Sequence, residues 1–280
     1  MTFNEIIMSL EVGLIYGIVA LGLYLTFRII DFPDLTCDGS FVLGSATASV
    51  LIQAGVNPWL SLLAALCAGA LAGMLTAILY LRLHVTNLLA GILVSFMLYS
   101  INLRIMGGLP NISLMDGGTL LYDAPVLQLL MIACLMCALL SYMLLTDFGL
   151  SLRCIGFNTK LASNSGVNVA WMTMVGLALS NALVALGGGL FSQHQGFADV
   201  GSGVGTIIIG LASVMLGEKI LPFRGVVSGV LSCLLGSVVY RLFIGFALHS
   251  DALGLSTSDL NLVTGLMVIA IMVVSKREVC

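Results

Sequence analysis

The stretch Ile6-Ile-Met-Ser-Leu-Glu-Val-Gly-Leu-Ile-Tyr-Gly-Ile-Val-Ala-Leu-Gly-Leu-Tyr-Leu-Thr-Phe-Arg-Ile-Ile30 decides the fold class. It is apolar almost throughout, with Glu11 and Arg28 as its only ionisable groups besides two tyrosines. A helix needs about 20 apolar residues to cross a bilayer core, so this run is long enough to be a permanent span. A transmembrane β-strand would alternate apolar and polar residues, and this run does not. Met1 to Glu5 carry no basic residue, and no small-residue cleavage site follows a short apolar core. A cleavable signal peptide is therefore not expected.

The rest of the 280-residue chain repeats the pattern. Sixty per cent of residues are hydrophobic and 8% are charged, where soluble domains carry roughly a quarter charged residues. The mean hydropathy is +1.15. Lipid is thus the solvent for most of the chain, and 32 glycines suit close helix packing within it. The expectation is an all-α polytopic transmembrane helical bundle, one domain over 1–280, with about nine spans. These are 6–28, 36–54, 58–82, 86–106, 125–146, 169–191, 201–217, 223–247 and 259–275. The seventh is the shortest, and is read either as a full span or as a re-entrant half-helix.

Orientation follows from basic residues near span ends. With nine spans and the N-terminus outside, Arg28, Arg82, Arg153, Lys160, Lys219, Arg224, Lys276 and Arg277 all fall on the inner side. Only Arg104 and Arg241 lie toward outer span ends. Asp116, Asp123, Asp199, Asp251 and Asp259 mark the outer connectors and their edges. The C-terminus is then cytoplasmic, and so is the polar connector 149–168. Asp31, Pro33, Asp34 and Asp38 are read as a solvated inner turn between spans one and two.

No Walker A sequence is present, and Gly201-Ser-Gly-Val-Gly205 lacks the Lys-Ser/Thr ending of a phosphate loop. It is read as a turn at the outer surface. Of seven cysteines, Cys134 and Cys137 have metal-pair spacing, but no second pair supports a tetrahedral site. No catalytic, metal or nucleic-acid site is expected.

The connector reads Gly149-x-x-x-Arg153-x-x-Gly156-x-Asn158-x-x-x-Ala162-x-x-x-Gly166. It resembles the coupling-helix signature of branched-chain amino acid and ribose type ABC importer permeases, Gly-x-x-x-Arg-Ala-x-Gly-x-Asn-x-x-Ala-Ala-x-x-x-Gly-Ile. Cys154, Leu161 and Val167 depart from it. Phe27 to Phe41, Leu88-Leu-Ala-Gly-Ile-Leu93 and Tyr99 to Gly107 extend the likeness, toward a subgroup some of whose members are associated with aromatic amino acid uptake. The resemblance implies a permease domain over 1–280 in the bacterial plasma (inner) membrane, with 149–168 as its cytoplasmic coupling segment. It implies a cytoplasmic ATP-binding subunit that carries ATP and Mg, with no cofactor in this chain. It further implies an extracytoplasmic solute-binding protein, a homodimer or paired permease, and a small solute, amino acids leading. Its coupling residues would be Gly149, Arg153, Gly156, Phe157, Asn158, Lys160, Leu161 and Gly166.

The residues alone support part of this. Phe157 and Leu161, four apart, could insert an apolar edge into a partner groove, and Arg153 and Lys160 could meet carboxylates there. Polar groups at membrane depth are functional candidates. These are Glu11, Asn87, Ser95, Asn102, Asn181 and Gln193 as pathway residues, with interhelical hydrogen bonding as the alternative for each. The competing class is an ion-coupled secondary transporter, which needs an acid at mid-membrane between broken helices. On the sequence, Glu11 is the one acid placed to serve, and it stands in the outer third of its span.

Overall fold

Long apolar runs fold as helices because lipid offers backbone amides no partner outside the segment itself. The computed structural model describes residues 3–114, 118–120, 125–221, 225–248 and 264–269. Its helices are α1 (Phe3–Leu23), α2 (Cys37–Gln53), α3 (Pro58–Leu83), α4 (Asn87–Ile105), α5 (Pro125–Leu145), α6 (Asp147–Phe157), α7 (Thr159–Asn164), α8 (Val169–Gln195), α9 (Thr206–Ile220) and α10 (Val226–Leu248). A π-helical segment, Tyr24–Ile30, prolongs α1. Strands β1 (Asn111–Ser113) and β2 (Phe197–Asp199) pair antiparallel, with Ile112 opposite Ala198. They join the loop after α4 to the end of α8, a link with no period in the sequence to announce it.

Among the described residues, seven helices are long and apolar enough to cross a membrane. They are α1 with its π-helical extension, α3, α4, α5, α8, α9 with the turn before it, and α10. Besides the short connector helices α6 and α7, the one that falls short is α2, with 17 residues, about 25 Å at 1.5 Å per residue. Most of α2 is buried, so it is an interior helix rather than a lipid-facing one. That explains its Gly, Ser, Ala and Thr content. Of the expected span 259–275, only 264–269 is described, and it is helical.

The centre is α8, packed against α1, α2 and α3. Its triple glycine divides the work, since a Cβ at Gly187 would strike Val19, at Gly188 the carbonyl of Phe41, and at Gly189 Leu62. Three partner helices approach on three sides, and α8 runs unbroken through the site. Gly69 and Gly73 of α3 lie against the backbone of Asn181 and Leu177. Gly44 of α2 lies against that of Ala185. Such approaches are how membrane helices gain packing energy when lipid competes for apolar contact. Hydroxyls tie further pairs together: Ser180 donates to the Gly22 carbonyl at 2.7 Å, and Ser237 to that of Gly13 at 2.8 Å.

The joint between α1 and α2 is not a solvated turn. Asp31 is exposed and left-handed at φ 57°, but Asp34 is fully buried. Its carboxylate accepts from the Thr36 amide at 2.8 Å and from Asn181 Nδ2 at 2.6 Å. Asn181 Oδ1 accepts from Ser40 Oγ at 2.7 Å, and the hydroxyls of Thr36 and Thr76 lie 2.7 Å apart. Asn181 is near the midpoint of the 27-residue α8. The chain therefore turns back into the bundle after Ile30, and α2 begins beside the middle of α8, with Asp34 holding the amide of Thr36 just before it. Acidic composition alone suggested solvent; the buried donors of Thr36 and Asn181 make the interior habitable instead.

The segment before α9 behaves alike. Residues Val200–Gly203 form a 3₁₀ turn, and a Cβ at Gly203 would strike the carbonyl of Asp38. The Gly201–Gly205 stretch thus includes a close approach to the start of α2 at Gly203. Asp38 Oδ1 accepts the Ile207 amide at 3.0 Å at the α9 N-terminus, where a carboxylate is favoured by the helix dipole and the orphan amides. Two helix starts thus each lie beside an aspartate.

Candidate functional site

Two places in the fold invite function. The first is the α6–α7 connector. A single short helix was expected there; the structure divides it at Asn158, which takes an extended conformation at φ −161°. The Asn158 side chain accepts from the amides of Lys160 and Leu161 at 3.0 and 3.1 Å, which starts α7 afresh. Phe157 and Leu161 consequently belong to different helices.

Each residue of the connector's signature has a structural task. A Cβ at Gly149 would collide with the Leu144 backbone, so glycine permits the tight α5–α6 turn. Arg153 reaches back to the carbonyls of Gly149 and Leu144 at 3.4 and 3.3 Å. A cation there serves the unpaired carbonyls at the end of α5. Gly156 lies against the carbonyl of Ile29 in the π-helical segment. Ala162 is fully buried. Gly166 is left-handed at φ 83°. There the Val167 amide bonds the Ala162 carbonyl at 3.0 Å, and its own amide bonds Ser163 at 3.1 Å. That pair of bonds closes a Schellman motif. The signature builds the connector. What is left outward is Phe157, 87% exposed, with Leu161 and Lys160 beside it.

Beneath that exposed tip the connector rests on a packed base. Leu152 of α6 joins Tyr24, Ile29, Ile30 and Leu177 in one buried cluster. Arg28 of the π-helical segment pairs with Glu218 at the end of α9. α6 thus touches the π-helical segment and α8 directly, and the π-helical segment is tied to α9 through Arg28 and Glu218.

The second place is a cavity of about 440 Å³ between α2, α4 and the start of α9. Asp38, Gly39 and Val42 form its α2 wall, Ser95, Phe96, Tyr99 and Asn102 its α4 wall, and Val204 and Ile207 its third side. Phe96, Tyr99 and Val204 are exposed. Asn102 is 1% exposed; its Nδ2 donates to the Gly39 carbonyl at 3.3 Å and its Oδ1 has no hydrogen-bond partner.

Of the six polar pathway candidates, the fold brings Ser95 and Asn102 together in this cavity. Asn181 is spent in the Asp34 network. Glu11 is paired with His194 Nε2 at 2.8 Å, both buried between α1 and α8. Gln193 accepts from the Leu120 amide at 3.2 Å, and Asn87 opens α4 away from the cavity. Arg241 lies 4.3 Å over the Tyr16 ring, a cation–π contact within the bundle instead of a reach toward the surface. Asp116 and Asp251 of the outer connectors lie outside the described residues. Asp38, Phe96, Tyr99 and Val204 were not singled out as pathway residues. The aromatic pair at i, i+3 on α4 was the available signal for two of them. Cys134 and Cys137 stand on different sides of α5, one exposed and one buried. Among the described residues no group of His, Cys, Asp and Glu could hold a metal ion.

Residues 5–274 match the family described as branched-chain amino acid transport system, permease component. The chain is 36% identical over 269 residues to the tyrosine transport system permease protein of Clostridioides difficile, covering 95% of this chain and 90% of that one. It is 28% identical over 235 residues to a nucleoside ABC transporter permease protein of Lactococcus lactis, covering 75% and 71%. In fold it is similar to an inward-facing metal-chelate type ABC transporter, at 14% identity and a TM-score of 0.53, covering 98% of this chain and 85% of that one.

Proposed function

Because the chain belongs to the branched-chain amino acid transport system permease family, we propose that it conducts a small amino acid, aromatic ones favoured, through the cavity between α2, α4 and α9. It is the permease subunit of an ABC importer, a multi-pass protein of the bacterial inner membrane, and not itself an enzyme. ATP and Mg act on the partner ATPase. The aromatic preference rests on the tyrosine permease relative and on Phe96 and Tyr99 in the cavity wall; the nucleoside permease relative marks the competing solute class.

The observation that carries the mechanical reading is the exposed tip Phe157–Leu161 above a fully packed base. The ATPase takes Phe157 and Leu161 into an apolar groove, with Lys160 against its carboxylates. Its closure pushes α6 on Ile29 and Ile30, and the π-helical segment moves against α9 through Arg28 and Glu218. The full topology is nine spans, with 259–275 the last, the N-terminus outside and the basic end cytoplasmic. A second copy, or a similar permease, faces the open cavity so that the pathway lies between the two. An extracytoplasmic binding protein delivers the solute to the end bearing β1 and β2.

One observation bears on the ion-coupled alternative. Asp34 and Asp38 lie within the bundle beside helix starts, the placement such a transporter uses. Both, however, accept backbone amides at helix starts, and the family locates the driving force in a partner. The test is Phe157→Asp combined with Leu161→Asp in the assembled complex. Solute-stimulated ATP hydrolysis should vanish while the spans stay folded. Unchanged stimulation would remove the connector from the mechanism.

A further inference from the structure

Resting on the pathway reading above, we infer that the cavity holds a subsite for the amine of the solute, built by Asp38 and Asn102, with Phe96 and Tyr99 receiving the apolar body attached to that amine.

The two polar groups share one chemical property: each has acceptor capacity left over. Asn102 Oδ1 has no donor although the residue is 1% exposed. The amide cannot be turned end for end, because its Nδ2 donates to the Gly39 carbonyl, which only a donor can satisfy. The oxygen therefore belongs where it is. A buried acceptor left unmade costs about 1–3 kcal/mol, and membrane depth allows no easy relief. Asp38 Oδ1 accepts from the amide of Ile207. That bond uses one of the roughly four acceptor positions of a carboxylate. Among the described residues no cation lies within ion-pairing distance of Asp38. Asn102 binds the carbonyl of Gly39, the next residue, so the carboxylate and the amide oxygen flank the same turn of α2.

What enters must bring donors and positive charge, which an ammonium does. Phe96 and Tyr99, on the α4 wall with Asn102, strengthen the choice, since aromatic rings attract cations and stack rings. Among the described residues neither Arg nor Lys lines the cavity, so a lone carboxylate or phosphate finds no partner among them. The ligand class is a primary amine carried on an apolar or aromatic body, amino acids among them. A solute lacking the amine leaves two acceptors unpaired, and discrimination by such unpaired groups is steep.

The experiment uses the assembled complex in nanodiscs and two probes that differ by the amine alone, tyramine and 4-ethylphenol, with binding read by titration calorimetry. The unmodified protein should bind tyramine at least about tenfold more tightly, equivalent to ~1.4 kcal/mol. Asn102→Leu and Asp38→Asn should each bring that ratio toward one. Asn102→Leu leaves the α9 N-terminus intact, so it stands if Asp38→Asn fails to fold. Phe96→Ala should weaken both probes in parallel. A ratio near one in the unmodified protein, or an unchanged ratio in Asn102→Leu, overturns the amine subsite. If, in addition, Phe96→Ala leaves 4-ethylphenol binding unaltered, the pathway reading falls with it; if Phe96→Ala weakens that probe, the pathway stands and only the subsite is lost.

Discussion

On one side of α2, Ser40, Gly44 and Ala48 run along Asn181, Ala185 and Gly189 of α8. On the other, Asp38, Gly39 and Val42 look into a cavity where Asn102 keeps an unpaired oxygen. Both sides carry an aspartate and an asparagine. Asp34 and Asn181 spend their hydrogen bonds on each other and on neighbouring backbone and hydroxyl groups. Asp38 and Asn102 keep capacity in reserve. A closed polar network in a bilayer holds helices together; an open one bordering a cavity is available to a solute.

The comparison can be broken by substitutions, taken here from the largest expected effect down. Gly44→Leu sets a side chain against the backbone of Ala185. Overpacking costs about 1–3 kcal/mol where side chains can yield, and more against backbone. The expected outcome is loss of folded protein, read as loss of a monodisperse peak after detergent extraction. A stable Gly44→Leu protein would mean that the α2–α8 contact is looser than described. Asp34→Ala leaves the Thr36 amide and one of the two Asn181 Nδ2 hydrogens without a partner, the other still donating to the Leu177 carbonyl, at about 1–3 kcal/mol for each donor left unpaired. A lower midpoint of thermal unfolding in detergent should follow. Asn158→Ala removes the α7 cap and costs about 1 kcal/mol locally, with faster amide exchange over 159–164 as its sign and the bundle unaffected. Ser95→Ala, on the open side, should shift the unfolding midpoint by no more than a typical surface change, under about 0.5 kcal/mol. If Asp34→Ala and Ser95→Ala were equally mild, the two faces of α2 would not differ as described.

Much of the bundle was legible because spans are long and lipid penalises any alternative. The first eight expected spans each coincide with a described helix, to within a few residues at most ends. The connector's importance was also legible, through Gly149, Arg153, Gly156, Asn158, Ala162 and Gly166. Their meaning was not. The signature suggested contact residues, while the geometry gives those six positions to turns, caps and close approaches. Asn158 breaks the helix because its side chain competes for the α7 amides, a choice between cap and interior that local sequence leaves open. The aspartates misled for a different reason. Charge predicts solvent unless buried donors are waiting, and those of Asp34 come in part from a residue 147 positions away. The close approach of Gly203 to the start of α2 was hidden similarly, since its partner there is Asp38, far off in the sequence.

The account rests on solute passing through the α2–α4–α9 cavity, and Val204 offers the most direct trial. It is 77% exposed and lines the cavity, so Val204→Trp fills that space without disturbing a packed core. Uptake of labelled L-tyrosine should be measured in vesicles holding the complete importer. The account predicts folded, assembled complex whose uptake falls by about tenfold or more, a ~1.4 kcal/mol barrier. Uptake equal to that of the unmodified importer, with the tryptophan in place, would contradict it.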